Sequence, residues 1–154
     1  MKNCLVDTHV LIWMLYEPNR LQRSVGLYLR DPHTKVNVTA VSIWEISIKH
    51  GLKKLPYVDL EMSELLDTLR EQNITLIELS PEEAASSIIL SNTLHKDPFD
   101  RMIAWQAICR DLLLVTSDDV MGNFEPFGLK RFKSDDTSFL LNEEIEAYNA
   151  MILP

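Results

Sequence analysis

Short apolar runs alternate along the chain with longer stretches whose apolar residues recur at helical spacing, and this alternation predicts most of the elements. Asn3 to Val6 reads as a strand, and about Thr8 to Tyr16 as a helix apolar nearly all round, which implies burial. Pro18 ends it. A second helix around Leu21 to Leu29 is stopped by Asp31-Pro32, because the residue before a proline is pushed out of the helical region. Val36 to Val38 predicts a buried strand, followed by a helix from about Val41 to Lys49 with Gly51 just past its end.

Within Asp59 to Arg70, Met62, Leu65, Leu66 and Leu69 fall at helical spacing, and Ile74 to Leu79 is strand-like. Ser80-Pro81-Glu82-Glu83 is a helix N-terminus signature, opening a helix that presents Ala85, Ile88 and Ile89. After a polar loop at His95-Lys96-Asp97, a helix carries Ile103, Ala104, Ala107 and Ile108 toward the core, and the strand Leu112 to Thr116 follows. Strands alternating with helices of this length predict βαβ units: an α/β fold whose mainly parallel sheet is covered by helices on both faces. Beyond Lys133 the pattern changes. Ser134 to Ser138 reads as a loop, after which Leu141, Ile145, Tyr148 and Ile152 share one stripe of a terminal helix. The expected division is a domain over 1–131 and an extension over 132–154, with the extra helix packed on its own domain or serving as an interaction tail.

Composition narrows the class. With 154 residues, 46% hydrophobic and 25% charged, the chain suits one soluble globular domain. A net charge of −8 argues against a general electrostatic grip on nucleic acid, but leaves room for a local basic patch or a metal-bridged phosphate and favours a basic partner. Cys4 and Cys109 both lie among apolar residues and read as free core thiols, which fits a reducing, cytoplasmic location. The apolar run Val10 to Leu15 is too short for a membrane span or a signal segment, so no membrane association is expected.

Four acids then stand out, each where a strand-like run gives way to a helix-like one: Asp7, Glu45, Asp100 and Asp118. The carboxyl ends of parallel strands share one edge of an open α/β sheet, so acids at several such junctions can converge on one crevice. Converging carboxylates make a site for a hard cation. Each acid also has a structural reading. Asp7 and Asp118 suit N-caps, Glu45 suits a capping box with Ser42, and Asp100 falls at N3 behind Asp97 as N-cap and Pro98 at N1. Capping and ligation are compatible.

Other polar residues are ambiguous in the same way. Thr8 and Thr116 read as helix caps or as groups orienting ligand waters. Arg101 suits a phosphate contact or an ion pair with Asp100 or Asp97. Lys49, Lys53 and Lys54 with His50 form a basic cluster near Glu45, either a contact to a phosphate backbone or a solvated face. His9 and His95 have no ligand-spaced partner for zinc. Trp13, Trp44 and Trp105 sit at core-like helical positions and read as packing.

Four strings, LVDTHVLIW (5–13), AVSIWEISIKHGLKKL (40–55), HKDPFDRMIAWQA (95–107) and LLVTSDD (113–119), resemble the PIN-domain family, most of all its VapC-type ribonuclease toxins. The resemblance spans about residues 3 to 131. It implies a compact α/β/α sandwich, usually dimeric, whose acidic pocket binds Mg2+ or Mn2+ and hydrolyses RNA, and it implies an antitoxin protein as partner. By motif, Asp7 matches the acid after the first strand, Glu45 the acid of the helix containing Trp-Glu, Asp100 the acid before the Ile-Ala run, and Asp118 the acid after Leu-Val-Thr, with Asp119 adjacent. Mg2+ takes only one or two direct carboxylates. Asp7 and Asp100 are therefore expected as direct ligands, with Glu45 and Asp118 acting through water or on a second ion. A haloacid-dehalogenase-type phosphatase wants an Asp where His9 stands, and a receiver domain wants a second acid beside Asp7. The remaining alternative is a catalytically silent PIN-like scaffold that only binds protein or RNA.

Overall fold

The computed structural model describes residues 2–57, 59–90 and 96–133. The expected terminal helix and its loop, and His95 of the polar loop, lie outside the described residues. Five strands, β1 (Lys2–Val6), β2 (Thr34–Thr39), β3 (Thr75–Ile77), β4 (Leu113–Val115) and β5 (Lys130–Arg131), form one sheet in the order β3-β2-β1-β4-β5. Every neighbouring pair is parallel. The order reverses at β1, so the crevice beyond its carboxyl end is the switch point where α/β sheets place their sites.

The helices are α1 (Thr8–Tyr16), α2 (Arg23–Arg30), α3 (Ala40–Gly51), α4 (Met62–Glu71), α5 (Pro81–Ser86) and α6 (Pro98–Cys109). Alternation along β1 divides the core. Cys4 and Val6 face a layer with Val10 and Leu11 of α1, Tyr28 of α2 and Leu65 and Leu69 of α4. Leu5 faces the other, with Ile103, Ala104 and Ala107 of α6 and Met121 and Phe124. Two apolar faces on one strand require helices on both sides, which gives the expected three layers. The Cys4 thiol is pushed up to about 12 by burial and is chemically inert.

Several local expectations are corrected. Cys109 is exposed on the last turn of α6, not a core thiol. Trp44 is 62% exposed, because α3 turns Val41, Ser42, Glu45 and Ile46 inward and leaves Trp44 off that face. Ile88 is 86% exposed and sits in a 3-10 turn after α5, which ends at Ser86. Gly51 is the last residue of α3, with Leu52 as its cap. Two elements had no signal in the apolar pattern. A 3-10 stretch, Asp119–Phe127, interrupted by Pro126, ends at Gly128 with φ +102, a backbone only glycine adopts cheaply. The short, polar edge strand β5 follows it.

Candidate active site

Asp7 begins where β1 stops. Its N–H donates to the Val115 carbonyl (3.1 Å), continuing the β1–β4 pairing by one residue and fixing the backbone from which the carboxylate projects. The side chain is 3% exposed. Oδ1 accepts the Val10 N–H at 2.8 Å, so Asp7 caps α1 as its position suggested, while Oδ2 accepts the Thr116 hydroxyl. Burial pushes the Asp7 carboxyl above the usual range, and the nearby charge of Asp118 adds to it; the bonds from Thr116 and Val10 and the charge of His9 pull the other way. Thr116 also accepts the Asp118 N–H at 3.0 Å, and Asp118 in turn caps the 3-10 stretch through Val120 N–H at 2.9 Å. Asp7, Thr116 and Asp118 thus form one chain of contacts beyond β1 and β4.

Glu45 arrives from the other side. The capping box with Ser42 does not form, because Thr39 is the N-cap of α3 and Glu45 lies a turn further in. Only 2% exposed, its carboxylate accepts the Thr8 hydroxyl at 2.5 Å and the Lys49 ammonium at 2.6 Å. Ser42 Oγ lies 3.1 Å from the same Thr8 hydroxyl. Thr8 follows Asp7 directly, so two buried acids are held from adjacent residues of one strand-to-helix junction.

Asp100 enters on α6, at N3 behind its Asp97 N-cap and Pro98. Asp97 Oδ1 accepts the N–H groups of Phe99 (2.8 Å) and Asp100 (3.3 Å). The Trp44 and Phe99 rings meet edge-on at 5.2 Å, so the residue before Glu45 touches the residue before Asp100. Among the described residues no three Asp, Glu, His or Cys side chains close on a single point. Mg2+ needs few direct carboxylates and keeps several waters, so it does not require such a cluster. The donors are all oxygen, and a cation beside Asp7 would offset the cost of its buried charge.

A family model described as PIN domain matches residues 4–125. The chain belongs to the PIN-domain family. It is similar to the ribonuclease VapC22 of Mycobacterium tuberculosis, with 29% identity over 120 residues, 77% of this chain and 88% of the relative. The fold is similar to a crystal structure of VapBC2 from Rickettsia felis bound to a promoter DNA fragment, with TM-score 0.60 and 17% identity, covering 84% of this chain and 97% of that one. It is also similar to VapBC-1 from nontypeable Haemophilus influenzae, with TM-score 0.60 and 12% identity over 87% of this chain and 99% of that one.

The basic residues of this PIN domain divide. Lys49 is committed to Glu45. Lys53 is exposed beyond the end of α3, where its φ of 54 turns the chain off the helix axis. Arg101 Nη2 donates to the Leu90 carbonyl at 3.0 Å and ties α6 to the turn after α5. A surface with three cations escaped the sequence pattern, two of them paired: Arg20 with Glu17 at 3.0 Å and Arg131 with Glu125 at 2.8 Å. A groove of about 560 Å³ beside Thr116 is lined by Trp13, Arg20, Asp119, Arg131 and Lys133. The Arg20 guanidinium sits 4.7 Å from the centre of the Trp13 ring. Arg20 lies in a 3-10 turn and Arg131 in β5, so neither falls on a periodic run that would have marked it.

Proposed function

We propose that the chain is a divalent-cation-dependent endoribonuclease and the toxin of a toxin–antitoxin pair. The observation that carries this reading is Asp7, a carboxylate buried at the sheet's switch point and held by Thr116, with Asp118 on one side and Glu45 on the other. Its similarity to a ribonuclease of the same family supports RNA as the substrate. Mg2+ or Mn2+, when bound, supplies charge neutralisation at the phosphoryl oxygens and an acidified water.

The chain's own residues then have distinct tasks. Asp7 and Asp100 offer direct carboxylate ligands, and Glu45 and Asp118 act through water or on a second ion. Thr8 and Thr116 fix the orientation of two of these carboxylates with hydroxyl bonds. Lys49 neutralises one oxygen of Glu45, leaving its other oxygen directed by Thr8. Lys133 and the ion-paired Arg20 and Arg131 of the groove offer an RNA backbone local cations on a chain that is acidic overall, in competition with Glu17 and Glu125, with Lys53 and Arg101 as further contacts on the α3 and α6 side.

The partner reading rests on the solved toxin–antitoxin structures that share this fold. An antitoxin that places an Arg or Lys beside Asp7 would neutralise the buried charge and compete with the cation. A homodimer is part of the same reading.

Purified chain, freed of antitoxin, should cut RNA with Mg2+ or Mn2+, stop with EDTA and leave 5′-phosphate ends. Asp7→Asn should abolish the cut. Equal cleavage in excess EDTA, or by Asp7→Asn, sinks the mechanism. Expression that never slows growth without the partner sinks the toxin role alone.

A further inference from the structure

Gln106 is fully buried, in the second half of α6, with no catalytic group beside it in sequence. Burying a primary amide costs free energy unless its donors and acceptor are paired. Here they are. Nε2 donates to the Glu78 carbonyl at 2.9 Å, just past β3, and lies 3.0 Å from Glu83 Oε2 on α5. Oε1 accepts the Thr39 hydroxyl at the end of β2. That hydroxyl oxygen also accepts the Val41 N–H at 3.1 Å and is therefore the N-cap of α3.

These bonds join α6 to the ends of two strands and the starts of two helices. Their geometry has a second part. Thr39, at the start of α3, meets Gln106 late in α6, whereas Trp44, further along α3, meets Phe99 at the start of α6. The two helices therefore run antiparallel against each other, pinned at two points about 10 Å apart along α6. Glu45 and Asp100 each follow one member of the aromatic pin. That pin is solvated, since Trp44 lies mostly in water. The polar pin is dry and directional, and apolar packing alone would tolerate a small slide or rotation of α6 that the hydrogen bonds do not.

We propose that Gln106 is a positioning residue: by bonding the N-cap of α3 and the end of β3 at once, it sets the placement of Asp100 relative to Glu45. The role rests on the nuclease reading and deepens it. An apolar residue of the same volume would leave the layer packed and the acids present, but with their spacing no longer fixed. Arg110 offers an internal contrast. It holds Glu83 through Nε at 2.5 Å and shares the Glu78 carbonyl with Gln106 through Nη2 at 2.8 Å, but has no bond to Thr39 or α3, so the link to the α3 N-cap is what the contrast isolates.

The test uses the full chain and the variants Gln106→Met, Thr39→Val, Thr39→Ser and Arg110→Met. Cleavage is measured well below each melting temperature with saturating Mn2+, and Mn2+ binding is followed separately by the EPR signal of the free ion. Gln106→Met should lower kcat about ten- to a hundredfold, the scale of a misplaced reacting group, with KM little changed and Mn2+ bound more weakly. Thr39→Val breaks the Thr39–Gln106 bond from the other side, together with the cap on Val41, and should also lower kcat and Mn2+ affinity. The double variant should lose less than the two singles added, because both remove that shared bond. Thr39→Ser keeps the hydroxyl and should restore activity, and Arg110→Met should lose stability but keep kcat and Mn2+ affinity. If Gln106→Met does not fold, the Thr39 pair gives the same answer. Parental kcat and Mn2+ affinity in Thr39→Val or Gln106→Met overturn the proposal, as does an equal loss in Arg110→Met. A parent chain that binds Mn2+ but never cuts RNA overturns the nuclease reading instead, and the Mn2+ titrations of the variants still decide the positioning role.

Discussion

The Thr116 hydroxyl donates to Asp7 Oδ2 although 109 residues separate the two. Parallel pairing of β1 with β4 makes them neighbours, since Val6 lies opposite Val115. The acceptor is a buried carboxylate, so the bond is charge-assisted, and Thr116→Val should cost about 1.5–3 kcal/mol in urea melts at neutral pH. Thr116→Ser should recover most of it. The bond holds the Asp7 pKa down, so its loss matters only while Asp7 is ionised. The deficit of Thr116→Val should therefore shrink as the pH falls through the raised folded-state pKa of Asp7, and a deficit constant with pH would remove the carboxylate from the explanation.

Asp7 itself makes the opposite trade. Its folded-state pKa is raised, chiefly by burial. A raised pKa means that the folded state binds the proton more tightly than the unfolded one, so stability is retained below the unfolded pKa and lost as the pH rises through the folded one. Above its unfolded pKa, in EDTA, the parent therefore carries a penalty for the burial of this carboxyl. Asn keeps the cap on Val10 without the charge. Asp7→Asn should therefore melt higher than the parent in EDTA at pH 7, with the difference closing toward acid, while losing all cleavage.

The sheet was legible in the sequence because its central strands are short apolar runs bounded by turn residues, and burial on both faces leaves little else for Cys4-Leu5-Val6 or Val36-Asn37-Val38 to do. Strand order was not legible, since parallel partners are chosen by contacts distant in sequence. The Thr116–Asp7 bond, the Thr8–Glu45 bond and the Thr39–Gln106 bond are all of this kind. Local logic misled at Glu45, where a nearby Ser42 suggested a capping box. The face of α3 held the better signal. Ser42 and Glu45 point inward with Val41 and Ile46, and Trp44 points out, which reverses what a purely structural helix would do. Such an inversion marks a site even when its partners cannot be named.

Arg110 and Glu83 give a purely structural comparison. Burial pulls the Glu83 carboxyl up, but the Arg110 guanidinium and the bonds from Ser80 and Gln106 outweigh it and leave the acid below the usual range. A depressed carboxyl stabilises the fold above its unfolded pKa and loses that contribution as the pH falls through the folded one. Arg110→Met should cost roughly 1–3 kcal/mol at neutral pH, since it leaves a half-satisfied carboxylate. Thermal melts should show the deficit narrowing in acid. Cleavage at a temperature where both proteins are folded should be unchanged.

Asp100 separates ligation from capping. As a helix residue at N3 it complements the dipole of α6, and on that role alone Asp100→Asn costs about 0.3–1 kcal/mol with or without metal. As a ligand it has a second effect. Metal binding to the folded state alone stabilises by about 2.7 kcal/mol when the free ion is at a hundred times its dissociation constant, and weakening the site reduces that gain directly. If Asp100 shares a cation with Asp7, removing its charge also relieves repulsion in the metal-free protein. Asp100→Asn should therefore cut no RNA, melt no lower than the parent in EDTA, and show a smaller upward shift on adding excess Mg2+ at neutral pH. A mutant that is less stable in EDTA but keeps the full Mg2+ shift would leave Asp100 with its capping role and place the cation on Asp7 without it.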